Sequence, residues 1–267
     1  MFESYDLNTF KWILLALSGF LIGLSKTGLP GFGILIVPLM AMVVPGMKSA
    51  GLLLPLLIFA DLLAIWVHRR NCLWRHILRT IGPALAGIVA GFLLMLWING
   101  VSAKFPPDRP AIANSDIIMN RIIGGIVLFM LGLRQWQTRF LTPDKQDRIP
   151  HNLPFAFVMG FLAGLTTMLA NAAGPVMILY LLSVRLPKTQ FVGTSAWFFF
   201  IVNWLKVPLH TQLATLTPVT FLLDACLIPA ILAGGLLGLL ALKHIPQHMF
   251  DKVVLILALA AAIKLLL

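Results

Sequence analysis

Residues 19–33 read GFLIGLSKTGLPGFG, and residues 160–174 read GFLAGLTTMLANAAG. A shift of 141 places Gly19 on Gly160, Phe20 on Phe161, Leu21 on Leu162, Gly23 on Gly164, Leu24 on Leu165 and Gly33 on Gly174, and Ser25 falls on Thr166. Each stretch starts apolar and then breaks. The first crowds Gly23, Gly28, Pro30, Gly31 and Gly33 together. Glycine costs backbone entropy in a helix, and proline lacks a donor and clashes with the preceding turn. Two broken apolar segments at matching places in two halves are the sequence mark of a site built where repeats meet in a membrane transporter.

Working outward, the 267 residues are 60% hydrophobic and 11% charged, with a mean hydropathy of +0.96. A soluble domain carries about 25% charged residues, so the composition predicts an integral membrane protein. The apolar runs are long and lack period-2 alternation, which predicts helices and excludes a barrel. The start MFESYDLNTFKW has no basic region before a short apolar core, so no cleavable signal peptide is expected. The formal charge is +11. The basic residues lie between apolar spans, which points to cytoplasmic loops and away from nucleic acid, and a positive surface favours an anionic substrate. Cys72 and Cys226 are far apart and predict neither a disulfide framework nor a metal site.

Ten segments follow in order: 8–24, a break at 25–31, 32–44, 49–67, 77–98, 117–137, then 153–168, a break at 169–175, 176–184, 189–209, 216–242 and 248–267. This is an all-α membrane fold of two inverted repeats, each with about five hydrophobic segments and a broken or re-entrant helix at its start. The repeats span 1–137 and 153–267, joined by a cytoplasmic linker at 138–152. Landmarks recur beyond the breaks: Gly51 faces Gly193, Pro83 faces Pro229 and Arg121 faces Lys252. Arg69, Arg70, Arg75 and Arg79 place loop 68–76 inside, and Arg134, Arg139, Lys145 and Arg148 do the same for the linker. Counting from them, both termini lie outside. Each opening pair is either two spans or one hairpin. Segment 176–184 is too short to cross, which favours half-helices that meet inside the membrane.

Backbone groups freed at such breaks are tolerated only in protein or beside a watery cavity. Free N–H groups at a helix start make an anion site. Ser25, Lys26, Thr27, Gly28, Gly31 and Gly33 of the first break, and Thr166, Thr167, Asn171 and Gly174 of the second, are the candidate binding residues. The competing reading is that glycine and small polar residues only permit close helix packing. Thr194, Asn203 and Lys206 share one later span. Asn203 and Lys206, three apart, lie on one helix face. Lys206 either faces a cavity or snorkels, since Pro208 suggests a nearby span end. Asp61 matches Asn203 at a shift of 142; it pairs with Lys26 or Lys206, or carries a coupling proton, or salt-bridges Arg69 and Arg70. The six histidines sit in loops or at span ends and are expected to be solvated. No nucleophile motif, HExxH pair or Walker loop is present, so no enzyme activity, cofactor or metal is expected.

These residues resemble a known family. The GFxxGL start, the glycine-rich break, Val37-Pro38-Leu39 and Val192-Gly193-Thr194-Ser195 are similar to the sulfite exporter TauE/SafE family over essentially the whole chain. The resemblance implies a secondary carrier in the bacterial inner membrane, most simply an exporter of a small sulfur-containing anion such as sulfite or the C2 sulfonate sulfoacetate. Its partners would be that anion and the lipid bilayer, and apolar outer faces would permit a homodimer. Lys206, with Lys26, would balance the anion's charge, and alternating access would move it. A passive anion channel of the same fold and a non-transporting membrane scaffold are the alternatives.

Overall fold

The computed structural model of the chain describes residues 7–27, 33–44, 46–68, 70–102, 115–140, 152–184, 186–241, 256, 258–260 and 262–267. These form helices α1 (Thr9–Thr27), α2 (Gly33–Val43), α3 (Met47–His68), α4 (Trp74–Ser102), α5 (Ser115–Phe140), α6 (Leu153–Ala170), α7 (Gly174–Ser183), α8 (Lys188–Gln212) and α9 (Pro218–Ala241), with further helix between 256 and 266. No strand occurs among the described residues. Among the described residues seven of α1–α9, all but α2 and α7, are long and apolar enough to cross a bilayer. The chain is a multi-pass, all-helical membrane protein. At 1.5 Å per residue, α2 and α7 reach only about 15 Å, half of a bilayer's apolar core of about 30 Å.

Local chemistry sets the helix ends. Asn8 Oδ1 accepts the Lys11 N–H at 2.9 Å, and Asn152 Oδ1 accepts the Phe155 N–H at 3.0 Å. Each asparagine satisfies a donor that the first helical turn leaves free. α6 ends at Asn171, whose φ of 53° is left-handed and turns its N–H back onto Thr166 and Thr167 carbonyls. Asparagine is among the few non-glycine residues that take this conformation routinely. Two of the boundaries that differ from the sequence reading move candidate residues. α1 continues to Thr27, so Ser25 and Lys26 belong to a helical turn and not to the break. α8 runs through Pro208 to Gln212, so Lys206 lies well inside a helix and does not snorkel. Prolines also lie within α2, α3, α4 and α9. Inside a membrane, neighbouring helices and hydroxyl side chains re-satisfy the groups that proline frees.

The helices pack crosswise. α1 lies on α9, α4 lies on α6, and α3 lies on α8. Glycines bring the first two pairs together. A Cβ on Gly23 would collide with the Ile231 carbonyl, and one on Gly234 with the Phe20 carbonyl; a Cβ on Gly164 would strike the Ala84 carbonyl, and one on Gly87 the Phe161 carbonyl. Gly19/Gly23 against Gly234/Gly238, and Gly160/Gly164 against Gly87/Gly91, are small-xxx-small seams that let backbones touch. Both pairs run parallel, because contacts advance together along each pair. Large apolar side chains such as Trp66, Trp97, Leu236 and Leu240 point outward, where lipid replaces water.

Candidate functional site

The broken helices and the α3–α8 pair bring most of the expected polar residues into two linked clusters. In the first, Lys26 from the last turn of α1 reaches Asp61 on α3, Nζ to Oδ1, at 2.5 Å. The other oxygen, Asp61 Oδ2, accepts from Asn203 Nδ2 on α8 at 2.7 Å. The Lys26 ammonium also sits 4.4 Å from the centre of the Phe199 ring, a cation–π contact. Of the two readings of Asp61, the pairing with Lys26 is the one formed. Asp61 is fully buried, far from a helix-end role beside the basic loop.

In the second cluster Lys206 is wholly buried. Its ammonium donates to the Thr167 carbonyl at 3.1 Å, the Thr167 hydroxyl at 3.0 Å and Asn171 Oδ1 at 2.5 Å. All three N–H groups therefore meet neutral oxygens. Asn171 Nδ2 donates in turn to the Ala50 carbonyl at 2.9 Å, tying the end of α6 to α3. Among the described residues Lys206 has no carboxylate partner. Lys26 and Asp61 offset each other, so Lys206, when protonated, adds a positive charge whose direct contacts are all neutral oxygens. A buried charge without a counter-charge is costly, and an anion at this place would remove the cost.

Open space lies beside the clusters. A Cβ built on Gly174, the first residue of α7, meets nothing within 4 Å, and one on Gly33, the first residue of α2, meets only Ser25 Oγ at 3.8 Å. Helix starts carry free N–H groups and a partial positive charge. The start of α7 follows Asn171 by three residues, so the lysine cluster and the helix start share one neighbourhood.

Several expected residues are placed elsewhere. The Thr27 hydroxyl lies 2.8 Å from the Gly235 carbonyl and 3.0 Å from the Gly23 carbonyl, within the α1–α9 seam. The Thr166 hydroxyl donates to the Leu162 carbonyl at 2.7 Å, inside its own helix. Thr194 is buried, and its hydroxyl accepts the Leu73 N–H at 3.0 Å, fixing the loop before α4. Gly28 and Gly31 lie outside the described residues. Two of the described histidines correct the expectation of solvated side chains, and His151, His244 and His248 lie outside the described residues. His210 is fully buried, with Nδ1 2.9 Å from the Thr215 hydroxyl, because α8 continues past the expected end of its span. His76 is half-buried and meets the Tyr180 hydroxyl at 3.2 Å. No metal-binding group of three His, Cys, Asp or Glu gathers among the described residues. The seam glycines Gly87, Gly91, Gly234 and Gly238, and the Ala50 carbonyl, were missed; the four-residue glycine spacing was legible, whereas a backbone carbonyl leaves no mark in a sequence.

Broken half-helices, a buried lysine and seven candidate spans define a class: polytopic membrane proteins with a polar site enclosed by helices. Within that class the chain belongs to the sulfite exporter TauE/SafE family, whose sequence model matches residues 15–265. No match was found among curated proteins or among solved structures.

Proposed function

We propose that this protein is a secondary transporter in the bacterial inner membrane that exports a small sulfur-containing anion, sulfite or a C2 sulfonate such as sulfoacetate. One observation carries the reading: the Lys206 ammonium is buried among neutral oxygens beside the open start of α7. The anion would sit between that ammonium, Asn171 and the helix start, with Thr167 behind. Lys26, Asp61 and Asn203 form the neighbouring cluster. Asp61 there can carry a coupling proton, because releasing Lys26 to an incoming anion leaves a carboxylate needing a new partner.

The two halves act as inverted repeats, with both termini outside and the linker inside. Crosswise packing supports this. α1 opens the first half and lies on α9, the fourth helix of the second; α6 opens the second half and lies on α4, the fourth helix of the first. Alternating access then moves the composite pairs α1–α9 and α4–α6 past the central α3–α8 pair. Apolar outward faces leave room for a homodimer.

Purified protein in liposomes tests the reading. Wild type should carry sulfite or sulfoacetate and show counterflow, acceleration by substrate on the far side, and Lys206→Ala should abolish flux in a folded protein. Flux without counterflow would make it a channel. Unchanged flux in Lys206→Ala would remove Lys206 as the anion's partner. Absence of any anion flux would leave a scaffold.

A further inference from the structure

We propose that Arg79, His76 and Tyr180 form a second anion site, an entrance that receives the oxyanion on the side of loop 70–73 and passes it along α7 to Lys206. The proposal rests on the anion-carrier reading. His76 and Arg79 are three residues apart on α4 and therefore share a helix face. His76 Nδ1 lies 3.2 Å from the Tyr180 hydroxyl, and the two rings meet edge-on with centroids 6.0 Å apart. Tyr180 is 1% exposed, whereas His76 and Arg79 are half-buried. The cluster is thus closed on its α7 side and open on its α4 side.

Among the described residues its charge has one sign. The described acidic residues are Asp61, Asp116 and Asp224. Asp61 is held by Lys26, Asp116 lies against Gly46 at the α2–α3 turn, and both oxygens of Asp224 are buried without a partner on α9. None of them neutralises Arg79. A half-buried guanidinium on the same helix face as an imidazole that itself meets a phenol offers a planar fork and two further polar groups, a recognition set for a small oxyanion.

The path supplies the second argument. Tyr180 stands six residues after Gly174 on α7, about 9 Å along the helix at 1.5 Å per residue. Gly174 opens beside Asn171 and Lys206. One half-length helix therefore has the basic entrance near one end and the buried lysine at the other. An anion moving between them passes from a half-exposed lining to a buried lysine along a helix that carries no carboxylate of its own.

The experiment measures sulfite and sulfoacetate flux in liposomes with protein of known orientation, from each side in turn. In Arg79→Gln, KM from the loop 70–73 side should rise about fivefold with kcat within about twofold, and KM from the opposite side should stay unchanged. Arg79→Lys should recover most of the affinity, and Tyr180→Phe should raise KM by a smaller factor from the same side. Melting temperature in detergent checks that each variant is folded; if Arg79→Gln fails to fold, Tyr180→Phe and His76→Gln carry the same one-sided test. An unchanged KM, or an equal rise from both sides, overturns the entrance and leaves the Lys206 site standing. Wild type without anion flux overturns both.

Discussion

The ends of α1 and α6 occupy matching places in the two halves and solve the same problem with opposite parts. At the end of α1 the helix supplies the lysine, Lys26, and α3 supplies the acceptor, Asp61. At the end of α6 the helix supplies the acceptors, Thr167 and Asn171, and α8 supplies the lysine, Lys206. Lys26 and Thr167 correspond at the shift of 141 and Asp61 and Asn203 at 142, so one architecture bears two charge patterns. The difference supports placing the anion at the second end. The first lysine is paired with a carboxylate, whereas the second meets only neutral oxygens next to the open start of α7.

The strongest way to break this comparison is Lys206→Met. It should cut anion flux about a hundredfold or more, the scale of losing a desolvated ionic contact. The melting temperature should hold or rise, because an apolar side chain replaces a buried charge. A variant that loses stability and keeps flux would reverse the roles assigned to the two ends. Lys26→Met should have the opposite effect on stability. It strands Asp61 as a buried carboxylate, with a cost of about 3 kcal/mol in unfolding experiments, and adding Asp61→Asn should recover most of it. If the single variant is as stable as wild type, the pair is not structural.

Asn171 sharpens the comparison, because it combines a backbone and a side-chain role. Asn171→Gly keeps the left-handed turn but removes an acceptor of Lys206, so KM should rise about tenfold, the scale of a charge-assisted hydrogen bond. Asn171→Ala should show the same KM and lose about 1 kcal/mol more stability, since alanine is strained at positive φ. Equal stability of the two would mean that the turn opens freely. The smallest effects separate the two threonines. Thr27→Val should cost about 1 kcal/mol through the lost bond to the Gly235 carbonyl and leave flux unchanged. Thr167→Val should weaken substrate affinity a few-fold, about the worth of one hydrogen bond, with little change in stability.

Pairing such as this shows what was readable beforehand. The breaks, the repeat shift and the candidate lysines stand in the sequence because Gly, Pro and an ionisable residue in an apolar run are each rare and costly. The misplacements have one cause. Helix ends were set by local punctuation, at Ser25 and at Pro208, but a helix in a membrane runs as long as its neighbours satisfy it. α1 therefore reached Thr27 and α8 reached Gln212, which carried Lys206 and His210 inside.

By itself the sequence determined the membrane class and the helical fold, which follow from composition and periodicity that any solvent of low polarity enforces, and its motifs carried the family resemblance and two broken segments at matching places. Only the tertiary structure decided which lysine is neutralised. Lys26 and Lys206 are equivalent as letters, and their difference arises from the crossing of α3 and α8, which sets Asp61 beside Lys26 and leaves Lys206 with neutral oxygens. Charge compensation depends on distances of a few ångströms between residues 35 or more apart in the chain, and no local pattern encodes them.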